Sequence, residues 1–316
     1  MVAVLERIFS IFLSVEFLMG TLGNGFIAVV NCIDWVKRRK ISSVDQIVTA
    51  LAISRITMTW FVFLDGWISV LYPALYFTGK MQRLYLITWT MINHCNLWLT
   101  TILNIFYFLK IANFSNTIFL YLKIRIKNAI LVTLLVSLFF LLLNIVVMKI
   151  NYDICIADVQ RNVSHTSRLY NYAQICRFLF FTNPVFSFTP FVMSLATFLL
   201  LIFSLWRHLK NVQRNAKEYR DISTVAHIRA LQTVIISVLL YTVYFLSYLV
   251  MVWSSDSQEK YLIFLSVWTL GNGALSAHPF VLIWANRRLR WVFLLVLLQH
   301  RYCISLRKIR RQEILT

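Results

Sequence analysis

The chain has 316 residues, 59% of them hydrophobic and only 14% charged, with a mean hydropathy of +0.72. Soluble domains carry roughly 45–50% apolar and 25% charged residues, so this composition excludes an ordinary soluble protein and predicts an all-α bundle in a membrane. A formal net charge of +19 would fit a nucleic-acid partner, but the placement of that charge along the chain argues against one.

Seven apolar segments are long enough to cross a bilayer as helices, at about 8–32, 44–71, 84–110, 125–148, 179–206, 229–253 and 260–285. The first is too long for a signal-peptide core and ends in basic residues without a small-residue cleavage pattern, so it is expected to stay as a span. Connections are short except at 149–178 and 207–228, and no internal repeat of the transporter kind is visible. Residues 1–316 therefore read as one seven-transmembrane domain with a tail at 286–316.

Orientation follows from lysine and arginine. With the N-terminus outside, the inner segments hold 22 of them and the outer segments 8. That bias predicts N-out, C-in, and explains the positive charge as topology and contact with anionic inner-leaflet lipid. The sequon at Asn162 then lies outside and is a glycosylation site, whereas that at Asn113 lies inside. Beyond the last span, the eight apolar residues Trp291–Leu298 are too few to cross and predict a helix lying at the inner interface. Cys303 beyond it is a candidate for acylation or a free thiol.

The third span carries a polar stripe. Asn93, Asn96, Thr100 and Asn104 recur at three- and four-residue spacing, which places them on one helix face and the helix inside a bundle. Arg55 sits deep in the second span, where a charge must face the interior. With Asn24 of the glycine-rich first span and Ser276 and His278 of the seventh, it forms an expected interhelical hub, either switch or static clamp. Glu16, nearer the outer side, is expected to play a structural part.

The outer halves of the spans supply an aromatic pocket with a few polar anchors. Its candidates are Trp89, Asn93 and His94 of span three, and Tyr241, Tyr244 and Tyr248 of span six. Thr182 and Phe186 of span five, Asp65 and Trp67 of span two, and Val267 and Trp268 of span seven complete it. Such a site takes small amphipathic compounds, and Asp65 is suited to a protonated amine. Five cysteines without CxxC spacing indicate no metal, redox site or other cofactor. Cys155 and Cys176 share a loop and are able to pair, and Cys32 and Cys95 are expected as buried small hydrophobes. No HExxH, paired intramembrane aspartate or Ser/Lys dyad points to an enzyme.

Several local patterns carry a resemblance. They are Leu51-Ala-Ile-Ser-Arg55, Leu103-Asn-Ile-Phe-Tyr-Phe-Leu-Lys-Ile-Ala-Asn-Phe-Ser115, Pro190-Phe-Val-Met-Ser-Leu195, His227-Ile-Arg-Ala-Leu231, and His278 followed by Leu282-Ile283 and Asn286. Together they resemble the taste receptor type 2 (bitter taste) family across essentially the whole chain. Asp-Arg-Tyr at the end of span three, a proline in span six and a lysine within span seven are all missing, which separates the chain from rhodopsin-like receptors. One departure is Pro279, where the family usually has serine.

The resemblance implies a plasma-membrane receptor for bitter agonists that activates a gustducin-type heterotrimeric G protein. The G protein would be met at the inner face by Tyr107, Lys110, His208 and His227. The alternatives are another class of seven-span chemosensory receptor and, with few intramembrane charges to mark an ion path, a channel or transporter.

Overall fold

The computed structural model describes residues 2–38, 42–76, 78–162, 177–215, 222–254 and 261–299. Every regular element among the described residues is a helix. In chain order these are α1 (Val2–Arg38), α2 (Ser43–Leu71), the single turn α3 (Pro73–Tyr76), α4 (Gly79–Ile111), α5 (Thr117–Ile124) and α6 (Ile126–Asn162). Then come α7 (Arg177–Asn215), α8 (Ile222–Ser254) and α9 (Tyr261–Ala285). A last helix, α10, covers 287–299.

Local chemistry sets several of the starts. Ser42, Thr78 and Asn116 stand at the N-caps of α2, α4 and α5, each accepting a hydrogen bond from a backbone N–H two or three residues on. The long helices outrun the expected spans. α6 continues past 148 to Asn162, α7 runs on to Asn215, and α5 lies in the connection between the third and fourth expected spans. Once a helix has left an apolar slab, nothing stops it until a cap or breaker intervenes, so hydropathy marks the slab rather than the helix ends.

Among the described residues, five stretches are long and apolar enough to cross a membrane: Arg7–Lys37, Ser43–Ile68, Ile126–Cys155, Thr182–Arg207 and Gln232–Val250. α4 and α9 fall below that standard because they carry the bundle's interior polar side chains, Asn93, His94, Asn96 and Asn104 on one and Asn272, Ser276 and His278 on the other. The chain is thus a multi-pass helical membrane protein. Its outward side chains agree: Leu22 is 70% exposed, and Leu142, Val185 and Leu270 likewise face away from the bundle, where acyl chains would cover them.

The helices close into a ring. α1 packs on α2 and α9, α9 on α8, α8 on α7, and α7 on α6; α4 fills the interior, touching α2, α6 and α7. At the α1–α9 seam a Cβ on Gly23 would come within 2.9 Å of Pro279 Cγ, so glycine here makes room for the proline ring. Pro279 therefore sits inside α9 without ending it. Cys32 and Cys95 prove exposed rather than buried. On helices whose outer faces meet lipid, a small apolar thiol has no need of burial. Cys155 is disulfide-bonded; Cys176 lies outside the described residues.

Candidate functional site

The site is built on α4. Trp89 is the centre of a ring cluster, its indole 5.9 Å from Trp268 of α9, 6.4 Å from Tyr248 of α8 and 6.3 Å from Phe61 of α2. Trp89, Tyr244, Tyr248, Val267 and Trp268 line one cleft together with Ser247, Gly271 and Asn272. The cleft's volume is about 20 Å³, so the rings are nearly closed on one another. Tyr241 belongs to the same core but packs below, its ring 5.7 Å from Phe191 of α7.

One turn further along α4, Asn93 ties three helices together. Its Oδ1 accepts from Tyr244 Oη at 2.6 Å, and its Nδ2 donates to Ser187 Oγ of α7 at 3.4 Å. The polar stripe of α4 then divides. Thr101 donates to the Pro190 carbonyl at 2.9 Å, Asn104 bonds Ser194, and just past the end of α4 the Asn113 backbone N–H donates to Ser204 Oγ at 2.9 Å. These bonds zip α4 to α7. Asn96 and Thr100 turn instead to α2, where Asn96 Oδ1 accepts from Arg55 Nε at 3.3 Å and Thr100 Oγ1 from Arg55 Nη2 at 3.5 Å.

Arg55 is 4% exposed and forms no ion pair among the described residues; its Nη1 is buried with no hydrogen-bond partner there. It lies within electrostatic reach of Tyr241, Tyr244 and His278. Both ring nitrogens of His278 are likewise buried and unpartnered among the described residues. Two other expected hub members stand apart. Asn24 donates to the Gly20 carbonyl of its own helix at 2.8 Å, and Ser276 lies against Gly20 across the α1–α9 seam. Helix register decides this: Asn24 reaches its own preceding turn before it reaches α2.

Other expected pocket residues also point elsewhere. His94 Nε2 meets the Ser137 carbonyl of α6 at 2.9 Å, and its ring leans on Trp98. Thr182 accepts from Asn151 Nδ2 at 3.1 Å, and Phe186 sets its ring edge-on to Phe140. These three face α6, on the far side of α4 from the Trp89 cleft. Asp65 is half-buried on α2 and does not line the cleft, while the exposed Trp67 borders a separate cavity between α1 and α2.

At the opposite end of the bundle, Tyr107 and Lys110 of α4 line a cavity of about 150 Å³ with Val44, Val48, Thr233, Val234 and Asn286. His208 and His227 fall within α7 and α8, and Asn162 ends α6; their side chains lie outside the described residues.

The pattern that defines the Taste receptor protein (TAS2R) family matches residues 1–301. The chain belongs to this family. It is 65% identical over 302 residues to rat (Rattus norvegicus) taste receptor type 2 member 113, covering 96% of this chain and 98% of that one. It is 68% identical over 290 residues to the mouse (Mus musculus) protein of the same name, covering 92% and 94%. Human (Homo sapiens) taste receptor type 2 member 14 is 50% identical over 299 residues, covering 95% and 94%. The relatives are taste receptors, not enzymes.

This taste receptor also has a clamp, at the end of the bundle where α1 ends and α2 begins, that sequence patterns did not single out. Arg288 at the start of α10 pairs with Asp34 of α1 at 2.5 Å, approaches Asp45 of α2 at 4.0 Å, and bonds Asn31. Asn31 in turn donates to Thr49 at 2.9 Å, and Asn286 donates to Asp45 at 3.4 Å. The signal was present in Asp34 and Asp45, acidic residues that flank the basic run Lys37–Lys40. Arg288→Ala leaves two carboxylates without their cation. Because the guanidinium is about a third exposed, the expected loss is modest, ~1–2 kcal/mol. It should appear as a lower melting temperature in purified receptor, and Arg288→Lys should recover part of it.

Proposed function

We propose that the chain is a bitter taste receptor of the plasma membrane, spanning it seven times with the N-terminus outside. It binds small amphipathic agonists at the Trp89–Tyr244–Trp268 cleft and activates a gustducin-type heterotrimeric G protein at the inner cavity. One observation carries the mechanism: the Tyr244–Asn93 bond joins the cleft to the α4 stripe that holds Arg55.

The cleft is far smaller than the ~300–1,000 Å³ of small-molecule sites. An agonist must therefore part the rings of α4, α8 and α9. Parting them moves Tyr244 and strains its bond to Asn93. α7 stays fixed to α4 by Thr101, Asn104 and Asn113, so α8 is the helix free to shift. Displacement of α8 carries Thr233 and Val234 away from Tyr107 and Lys110, widening the inner cavity. The agonist acts by binding the opened arrangement more tightly than the closed one.

Support for the orientation comes from the lysine and arginine bias, 22 inside against 8 outside. It also predicts the glycan: Asn162→Gln should abolish the shift in mobility that a glycosidase produces, and a glycan that survives this change contradicts the topology. The function itself is tested by expressing the chain with a promiscuous G protein and recording calcium against a panel of bitter compounds. A response to at least one compound, lost when the G protein is omitted, is expected. Silence to every compound together with ligand-independent ion flux would overturn it.

A further inference from the structure

The largest cavity among those described is not the Trp89 cleft. About 420 Å³ of space lies between α1, α2 and α9, at the end of the bundle where α1 begins. That is within the range of small-molecule sites. Its walls are mainly apolar and aromatic. Phe17 stacks on Phe63 with centroids 4.4 Å apart, and Trp67 stands 6.0 Å from Phe63.

Into this apolar space the chain places one carboxylate. Glu16 lines the cavity, and its Oε2 is buried with no hydrogen-bond partner among the described residues. None of the residues lining the cavity is lysine or arginine. Across the cavity, a Cβ on Gly273 would come within 2.9 Å of Glu16 Oε1, so glycine at that position leaves room for the carboxylate. An unpaired carboxylate in an apolar surround is costly, and a cation brought by a ligand relieves that cost.

We propose that this cavity is a second ligand site, separate from the Trp89 cleft, that takes a protonated amine carried on an apolar body. The ammonium donates to Glu16. The apolar body lies along Phe17, Phe63 and Leu275, and the aromatic faces favour the cationic end as well. The exposed Ser14, Gly66 and Trp67 at the rim leave the site open for entry.

The test uses the full chain in lipid nanodiscs and a photoreactive probe, an aryl diazirine bearing a dimethylaminoalkyl chain, with its uncharged isobutyl isostere as control. Labelled residues are mapped by mass spectrometry. The amine probe is expected to label α1, α2 or α9 around the cavity. Glu16→Gln should weaken its apparent affinity about tenfold or more, the scale of a lost hydrogen bond to a charged group, while leaving the isostere unchanged. Ser14→Phe, which narrows the cavity and keeps the carboxylate, should reduce labelling by both probes. Asn93→Ala, one turn from the other cleft, should alter neither. Equal affinity of the amine for the parent chain and Glu16→Gln, or labelling that survives Ser14→Phe, overturns the proposal. Because binding is read directly, failure of the signalling function would not be mistaken for failure of this site.

Discussion

Arg55→Met is expected to abolish the agonist-evoked calcium response and at the same time to raise the melting temperature of the purified receptor. The guanidinium is 4% exposed, has no carboxylate partner among the described residues, and leaves Nη1 unbonded there. Its two hydrogen bonds, to Asn96 and Thr100, are long at 3.3 and 3.5 Å. Replacing buried charges by apolar groups of similar volume stabilises other proteins by ~1–4 kcal/mol, which corresponds to a rise of several degrees. A chain that keeps so unfavourable a group exchanges stability for function. In the mechanism proposed above, Arg55 finds better partners when α8 shifts, since Tyr241 and Tyr244 of that helix are already within its reach. A fall in melting temperature with signalling retained would instead make Arg55 a static clamp between α2 and α4. Surface expression measured alongside separates either result from a trafficking failure.

Asn93→Ala is expected to lower the agonist concentration for half-maximal response about tenfold or more, and to raise basal signalling, while surface expression stays near that of the parent chain. The side chain bonds Tyr244 of α8 and Ser187 of α7 at once. Removing it leaves the Tyr244 hydroxyl of the closed arrangement without its 2.6 Å acceptor, ~1–3 kcal/mol that the agonist no longer has to overcome, which is the source of the tenfold figure. Expression should hold because interhelical bonds in membranes average only ~0.6 kcal/mol and α4 keeps its other ties to α7. Concentration–response curves for two chemically unrelated agonists distinguish a lost ligand contact, which weakens them unequally, from release of the closed cleft, which strengthens both alike. Unchanged potency for both would remove Asn93 from the site.

The apolar segments and the polar stripe of α4 were legible because both are local patterns. A run of apolar residues and a three- to four-residue recurrence are visible in one dimension. Which neighbour each stripe residue meets was not. Asn93, Asn96 and Asn104 share a face by spacing, yet that face is wide enough to meet α7 at Asn93 and Asn104 and α2 at Asn96. The pocket candidates divided for the same reason. Trp89 and His94 are five residues apart on α4, a separation that turns the second well over a hundred degrees from the first, toward α6. Tyr244 and Tyr248, four apart on α8, stayed together in the cleft. Arg288 is one of several basic residues beyond the last span in the sequence; its role depends on α10 folding back over the ends of α1 and α2, which no local pattern encodes.

The central claim is that agonists part the rings of Trp89, Tyr244 and Trp268. The most direct measurement is a density map of the full receptor with an agonist identified in the calcium screen. The account predicts ligand density between α4, α8 and α9 in contact with Trp89, with the Trp89–Trp268 separation increased from 5.9 Å and Tyr244 displaced from Asn93. Ligand density elsewhere in the bundle, with that cleft still closed and the Tyr244–Asn93 bond intact, would contradict it.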